Sequence, residues 1–282
     1  MTTPATIPTA TPRTVLVTGT SSGIGLATAV TAARAGWHVI ATMRDTAKAG
    51  ALLAAADEAG VSVDLRALDV TDPASVTACL AGLDRLDALV NNAGAGHVGT
   101  LEQESVDDVR AVMEVNFFGV LNVTKAVLPL LRQSKGRVLT VTSVGGVVGQ
   151  PFNEAYCAAK FAVEGFMESL APVAATAGVS VSVVEPGAVA SEFVSNVGLP
   201  ADALEQAGPY APALSAYLER TSGAFASAQT SQDVAERMVD LLDAERPAFR
   251  LLTSDAARAF AGVKLADLDG SAVQNLTGGW VR

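Results

Sequence analysis

The most constraining stretch runs from Arg13 to Ala35. A β-branched run, Arg13 to Thr18, passes directly into Thr18-Gly19-Thr20-Ser21-Ser22-Gly23-Ile24-Gly25 and then into an alanine-rich helical pattern, Ile24 to Ala35. A strand that must become a helix within so few residues needs glycine for the tight turn. The free N–H groups at the start of that helix form a ready seat for a phosphate. The spacing is TGxxxGxG, which differs from the GxGxxG fingerprint of many dinucleotide folds. Taken alone, the glycine cluster is weak evidence, because a plain tight strand-to-helix turn also uses glycine. The strand before it and the helix after it favour a pyrophosphate cradle.

The same alternation continues along the chain. Strands are predicted at Trp37–Thr42, Val61–Leu68, Leu86–Val90, Gly136–Thr142, Val179–Val184 and Ala248–Leu252. Helices are predicted at Ala47–Ala59, from Pro73, over Ser105–Arg132, over Ala155–Ala177 and over Ser231–Ala244. Strands separated by helices call for a parallel sheet covered on both faces by right-handed crossovers. The expected fold class is therefore α/β, a Rossmann-type doubly wound parallel sheet in a single domain. Composition agrees, because 50% of residues are hydrophobic but only 5% aromatic, the balance of alanine-rich helices on valine-rich strands. The 282 residues divide into a Thr- and Pro-rich lead-in (1–12), the main domain (13–253) and a C-terminal tail (254–282) expected to be a short helix with an irregular end. Residues 187 to about 230 interrupt the pattern as a helical excursion, the usual place for a substrate loop.

The formal net charge of −10 repels phosphate backbones and anionic lipid, so nucleic-acid and membrane-surface partners are poor expectations. The lead-in has no apolar core of a signal peptide, and no run of about 18 apolar residues is apparent, so a spanning helix is not expected. The only cysteines, Cys79 and Cys157, lie in helical patterns without metal-ligand spacing. They read as reduced thiols of a cytoplasmic protein, and no metal site is expected.

The second strand leads into Met43-Arg44-Asp45. Where this fold often carries a carboxylate for the ribose 2′-OH, Met43 stands, followed by Arg44. An arginine there pairs with a 2′-phosphate, so NADP(H) is favoured and NAD(H) stays possible. Two alternatives remain open: Arg44 as a solvated residue paired with Asp45, and Asp45 as the ribose ligand. Asp69, at the end of the third strand, suits an adenine acceptor or a turn cap equally well. Asn92, Ala93 and Gly94 end the fourth strand on the same edge, where asparagine can also tie neighbouring strands together.

Ser143 ends the fifth strand, and Tyr156 and Lys160 follow one helical turn apart. A tyrosine of ordinary pKa, about 10, is a poor base at neutral pH. A lysine ammonium one turn away favours the phenolate, so a lowered value is expected for Tyr156. Tyr156 can then exchange a proton with an alcohol or carbonyl while Ser143 donates to the same oxygen. On an arbitrary helix this spacing is an ordinary exposed pair; the serine and the glycine-rich turn before it change that reading. Asn116 sits mid-helix, where asparagine is poorly suited. It reads either as a buried, satisfied amide or as part of a relay to Lys160.

These motifs, in this order over about Thr14 to Leu252, resemble the short-chain dehydrogenase/reductase family. The carrying residues are Thr18 to Gly25, Asn91 to Gly94, Asn116, Ser143, Tyr156, Lys160 and the Pro186-Gly187 turn. The resemblance implies a seven-stranded sheet and a catalytic set of Asn116, Ser143, Tyr156 and Lys160. It implies cofactor contacts from Gly19, Ser21, Ser22, Gly23, Ile24, Gly25, Arg44, Asp69, Val70, Asn92, Ala93 and Gly94. It adds Tyr156, Lys160 (on the nicotinamide ribose), Pro186, Gly187, Val189 and Ser191, the last in place of the usual threonine. Homodimers or homotetramers through Ser105–Arg132 and Ala155–Ala177 are implied as well. The stretches Ser143 to Gly146, Pro151 to Cys157 and Lys160 to Gly165 are similar to the branch of 17β-hydroxysteroid and retinol dehydrogenases. Glu185 departs from the asparagine common in the wider family.

The expected activity is that of a carbonyl reductase or alcohol dehydrogenase acting on a small, lipophilic carbonyl or alcohol. Expected substrate contacts are Ser143, Gly145, Gln150, Phe152, Tyr156 and His97, with Phe193, Leu204, Tyr210 and Tyr217 as further candidates in the excursion. A lone histidine such as His97 is more often a plain loop residue. Two rival classes stay open: a nucleotide-sensing regulator, and an epimerase or dehydratase using the cofactor transiently.

Overall fold

The computed structural model describes residues 12–191, 199–225 and 228–282. The expected lead-in, apart from Pro12, and Phe193 lie outside the described residues. Strands β1 (Thr14–Thr18), β2 (His38–Met43), β3 (Asp64–Ala67), β4 (Ala88–Asn91), β5 (Arg137–Val141), β6 (Ser180–Glu185) and β9 (Arg250–Leu252) form one parallel sheet. Its order is β3-β2-β1-β4-β5-β6-β9. The direction of winding reverses between β1 and β4, and a crevice opens there beyond the carboxyl ends of the strands.

Alternation along each strand builds two cores. Val15 and Val17 of β1 face α1 (Gly23–Arg34) and α9 (Ser231–Asp243), meeting Ala29, Ala32, Val234 and Met238. Leu16 points the other way, into a cluster with Val123 and Val127 of α5 (Gly119–Ser134) and Val163 and Met167 of α6 (Glu154–Ala175). Helices α2 (Gly50–Glu58) and α3 (Pro73–Cys79) complete the first half, and Asp72 caps α3 by accepting from the N–H of Ala74.

The long helix expected over Ser105–Arg132 is present but broken in character. Helix α4 (Val106–Met113) starts at a capping box made by Ser105 and Asp108, and a π-helical turn, Glu114–Phe118, joins it to α5. By length and composition this 29-residue run, Val106–Ser134, is able to cross a bilayer, which corrects the expectation that no such segment exists. Its buried side chains Val120, Val123, Val127 and Leu131 pack in the core, the behaviour of a helix that covers a sheet.

The excursion is more ordered than expected. Short strands β7 (Val189–Ala190) and β8 (Gln229–Thr230) pair in parallel at its base, with helices α7 (Ala203–Gln206) and α8 (Ala211–Phe225) between them. The tail also differs: it forms two helices, α10 (Asp255–Ala266) and α11 (Ser271–Gly278), and a final turn. Ser254 caps α10, and Ala261 and Val273 bury against Val147 and Val148 behind the fifth strand. That apolar contact lies over a hundred residues away in sequence, so local pattern could not reveal it.

Candidate active site

A cleft of about 1150 Å³ runs along the carboxyl edge of the sheet. At one end lies the glycine-rich turn. Gly19 has φ +71°, and a Cβ there would come within 2.8 Å of Ala93 Cα. Gly25 does not line the cleft; its own Cβ would sit 2.1 Å from the Gly19 carbonyl oxygen and 2.3 Å from Asn92 Nδ2. Glycine is therefore required where the turn, the first helix and the fourth strand meet. Asn92 holds that junction, donating from Nδ2 to the carbonyls of Thr18 and Gly19 at 2.9 Å each. Thr18 Oγ1 accepts from the N–H groups of Asn92 and Ala93 in return. Asn91 donates to Thr124 and Thr140, tying β4 to α5 and β5. The NNAG stretch is thus largely a fastener.

Ser21, Ser22, Gly23, Ile24, Arg44, Asp69 and Val70 all line this end of the cleft, together with Ala93 and Gly94. Arg44 follows directly on β2. Asp45 turns away to cap the next turn, accepting from the N–H of Ala47 at 3.0 Å. No Arg44–Asp45 ion pair forms among the described residues. Asp69 plays the cap that was left open, its Oδ1 accepting from Thr71 N–H and Oγ1 at 2.9 and 2.7 Å. Those bonds and the nearby Arg44 charge hold its carboxyl below the usual range.

The middle of the cleft gathers Ser143, Tyr156 and Lys160, with Pro186, Gly187, Val189 and Ser191 opposite. Ser143 stands at the end of β5, accepts from Gly145 N–H at 3.0 Å, and hydrogen-bonds the Tyr156 side chain. Lys160 is buried, donates to the Val141 carbonyl at 3.2 Å, and sits with Nζ 5.7 Å from the centre of the Tyr156 ring. Burial pushes its ammonium down to about 8. The expectation of a lowered Tyr156 pKa is corrected: burial pushes the phenol up, and the Ser143 bond only partly opposes it. The raised value favours the neutral phenol at Tyr156.

Asn116 lies in the π turn, fully buried and outside the cleft wall. Its Nδ2 donates to the carbonyls of Ala95 and Val112 at 3.0 Å, and its Oδ1 accepts from Ala95 N–H at 3.2 Å. A Cβ on Gly94 would fall 2.9 Å from Asn116 Oδ1 and 3.6 Å from Lys160 Nζ, so both side chains approach the Gly94 backbone. A π turn frees backbone groups inside a helix, which suits a buried amide and often marks a functional site.

At the far end, His97 and Gln150 line the cleft as expected, and His97 Nε2 pairs with Glu104 at 2.5 Å. Gly145 and Phe152 do not line it. Gly145 is packed under Cys157 and Gln150, and Phe152, at φ +58°, turns its ring onto Tyr217, 5.6 Å away, in the apolar cluster behind the far wall. Tyr217 lines the cleft, whereas Leu204 and Tyr210 are exposed outside it. Sequence reading missed Asn153, Leu218, Arg220, Phe260 and Trp280, which complete this wall. Trp280 stacks on Phe260 at 5.5 Å, and the Arg220 guanidinium lies 4.6 Å over the Trp280 ring.

The profile of the short chain dehydrogenase family matches residues 13–201. The chain belongs to that family. This short-chain dehydrogenase is 41% identical over 272 residues to retinol dehydrogenase 8 of Bos taurus, covering 92% of the chain and 87% of that protein. It is 38% identical over 269 residues to 17-beta-hydroxysteroid dehydrogenase type 1 of Homo sapiens, covering 91% and 82%. Among solved structures it is similar to a short-chain dehydrogenase from Streptomyces avermitilis, with a TM-score of 0.76 at 30% identity over 96% of this chain and 99% of that one. It is also similar to a variant of actinorhodin polyketide ketoreductase solved with NADPH, with a TM-score of 0.69 at 29% identity, covering 86% and 95%. The short-chain dehydrogenase described here is therefore an oxidoreductase with retinol and hydroxysteroid dehydrogenases among its relatives.

Proposed function

We propose that this short-chain dehydrogenase is an NADP(H)-dependent reductase of lipophilic ketones or aldehydes, with Tyr156 as the proton donor. The observation that carries the reading is one cleft with a glycine cradle and Arg44 at one end and Ser143, Tyr156 and Lys160 at its middle. The cradle is closed to any side chain at Gly19 and Gly25, which leaves backbone amides free to approach a pyrophosphate. Arg44 would hold a 2′-phosphate from the wall of the cleft, and the chain's similarity to a ketoreductase solved with NADPH supports that choice. Lys160 would hold the nicotinamide ribose, with Pro186, Gly187, Val189 and Ser191 along the ring's other side. When bound, the nicotinamide supplies or accepts the hydride.

The protein's own residues handle the proton. A neutral Tyr156 phenol donates from Oη to a substrate carbonyl oxygen as negative charge grows there. Ser143 Oγ donates to the same oxygen, and the Lys160 ammonium stabilises the phenolate that donation leaves behind. Asn116 fixes the Ala95 backbone beside Gly94, next to the space Lys160 enters. The apolar far wall, with Tyr217, Phe260 and Trp280, suits a large lipophilic body, in keeping with relatives named for retinol and hydroxysteroids. Phe118 on the π turn before α5 and Phe166 on α6 are exposed, which fits the family's habit of pairing through these helices, and we assign this face to a homodimer. The testing experiment is NADPH oxidation with a panel of lipophilic ketones and aldehydes. Turnover of retinaldehyde- or oestrone-like compounds supports the reading, and a preference for small hydroxy acids overturns it.

A further inference from the structure

Behind Lys160, away from the cleft, two carboxyl groups are buried together. Glu164 is 5% exposed and Glu185 is 0% exposed. Glu164 lies one helical turn beyond Lys160, which itself lies one turn beyond Tyr156, so all three share a face of α6. Glu185 ends β6 immediately before Pro186 and Gly187.

The groups that face the pair are few. From the end of β5, Thr142 Oγ1 donates to Glu164 Oε1. From β9, Arg250 bonds Glu185 Oε1, and its other terminal nitrogen is 3.6 Å from Glu164 Oε2. From α6 come the charges of Lys160 and Glu168. The remaining oxygen of each carboxyl, Oε2, is buried with no N–H or O–H donor. The two carboxyls nonetheless converge, both on Arg250 and on each other. Two ionised carboxylates are acceptors only. The contact is a hydrogen bond, and both orphan oxygens are satisfied, when one proton lies between them. With that proton the two carboxyls and Arg250 sum to zero charge; without it a net negative charge is left in the core, which burial resists.

We propose that Glu164 and Glu185 share a single proton and act as a positioning pair, setting the charge behind Lys160 and tying together the strand ends that carry the reacting groups. This rests on the reading of Tyr156 and Lys160 above. The ties are direct. Glu164 holds Thr142, the neighbour of Ser143, and its Cγ would be 3.0 Å from a Cβ on Gly146, with the Lys160 carbonyl at 3.1 Å. Glu185 leads into the turn that faces the nicotinamide. The charge effect has a definite sign. Burial and repulsion from Glu164 push Glu185 up to about 8, the range in which Lys160 also titrates, and Glu164 favours the ammonium. As pH rises, the proton lost by the pair puts a second negative charge behind Lys160, so the lysine keeps its own proton to higher pH. Glu185→Gln preserves the shape and supplies a permanent donor to Glu164, but it cannot supply that second charge.

The test has two arms on the NADPH complex. Infrared spectroscopy of the wild type at neutral pH is expected to show the carbonyl band of a protonated carboxylic acid, which Glu185→Gln removes. The alkaline limb of the pH–kcat profile is expected to move down by about one pH unit in Glu185→Gln, the scale of one neighbouring charge. A wild type without the band, or a folded, NADPH-binding variant whose alkaline limb stays in place, overturns the proposal. A purely structural role would lower stability or kcat at every pH alike. Should Glu185→Gln fail to fold, Glu164→Gln is read in the same way, losing both the band and the raised limb. If the wild type turns over no carbonyl compound, the infrared arm alone decides the pair, and the failure belongs to the functional reading.

Discussion

In the proposed reaction Tyr156 acts as a neutral phenol, because burial raises its pKa and favours the protonated form. Tyr156→Phe is expected to cut turnover by about 10²- to 10⁴-fold, the range for a positioned acid or base, with NADPH affinity nearly unchanged in a calorimetric titration. Lys160 gives the pH dependence its sign. Its ammonium titrates at about 8, so reductive kcat should be level below that pH and fall as the proton is lost above it. A flat profile through pH 9 in the wild type would separate Lys160 from the step. At the other end of the cleft, Arg44→Asp should weaken NADPH by about 10- to 100-fold, the worth of a charged hydrogen bond, and leave NADH nearly untouched. Much of this was legible, because Ser143, Tyr156 and Lys160 form a local pattern on one strand end and one helix face. The direction of the Tyr156 shift was not, because it depends on desolvation by distant parts of the chain. The position of Phe152 has a local cause: it sits in the left-handed region, which turns its side chain away from where sequence spacing puts it.

At the scale of elements, the site is made by junctions between strands and helices. The β1–α1 turn is pinned to β4 by Thr18 and Asn92, and the sequence pattern showed the turn but not the clasp. Gly25→Ala drives a methyl group into the Gly19 carbonyl and the Asn92 amide, and should cost about 1–3 kcal/mol, as overpacking does. Thermal unfolding of the variant with and without NADPH checks this, and loss of the NADPH-induced rise in Tm is expected alongside the lower Tm. The π turn was foreshadowed only by one ill-suited asparagine. Helical periodicity at α4 and α5 is so regular on either side that a single inserted residue leaves little trace in the pattern. The ordered excursion was hidden for another reason: β7 and β8 are two residues each and meet across forty residues of sequence.

For the whole molecule, the tail is the part least visible in advance. It returns across the mouth of the cleft and contributes Phe260 and Trp280 to the far wall, where Arg220 from α8 covers the indole. Trp280→Ala should raise KM for a large lipophilic substrate by about tenfold, the worth of one buried aromatic contact, with a smaller change in kcat. The parallel sheet covered on both faces, by contrast, followed from the alternation of elements and the handedness of crossovers, and its seven strands from the family resemblance. The most direct test of the central claim uses NADPH deuterated on its transferable carbon with the best lipophilic ketone of the panel. The account predicts one deuterium on the carbinol carbon of the product with the wild type and none above background with Tyr156→Phe. An unlabelled product, or equal labelling rates for the two proteins, would contradict it.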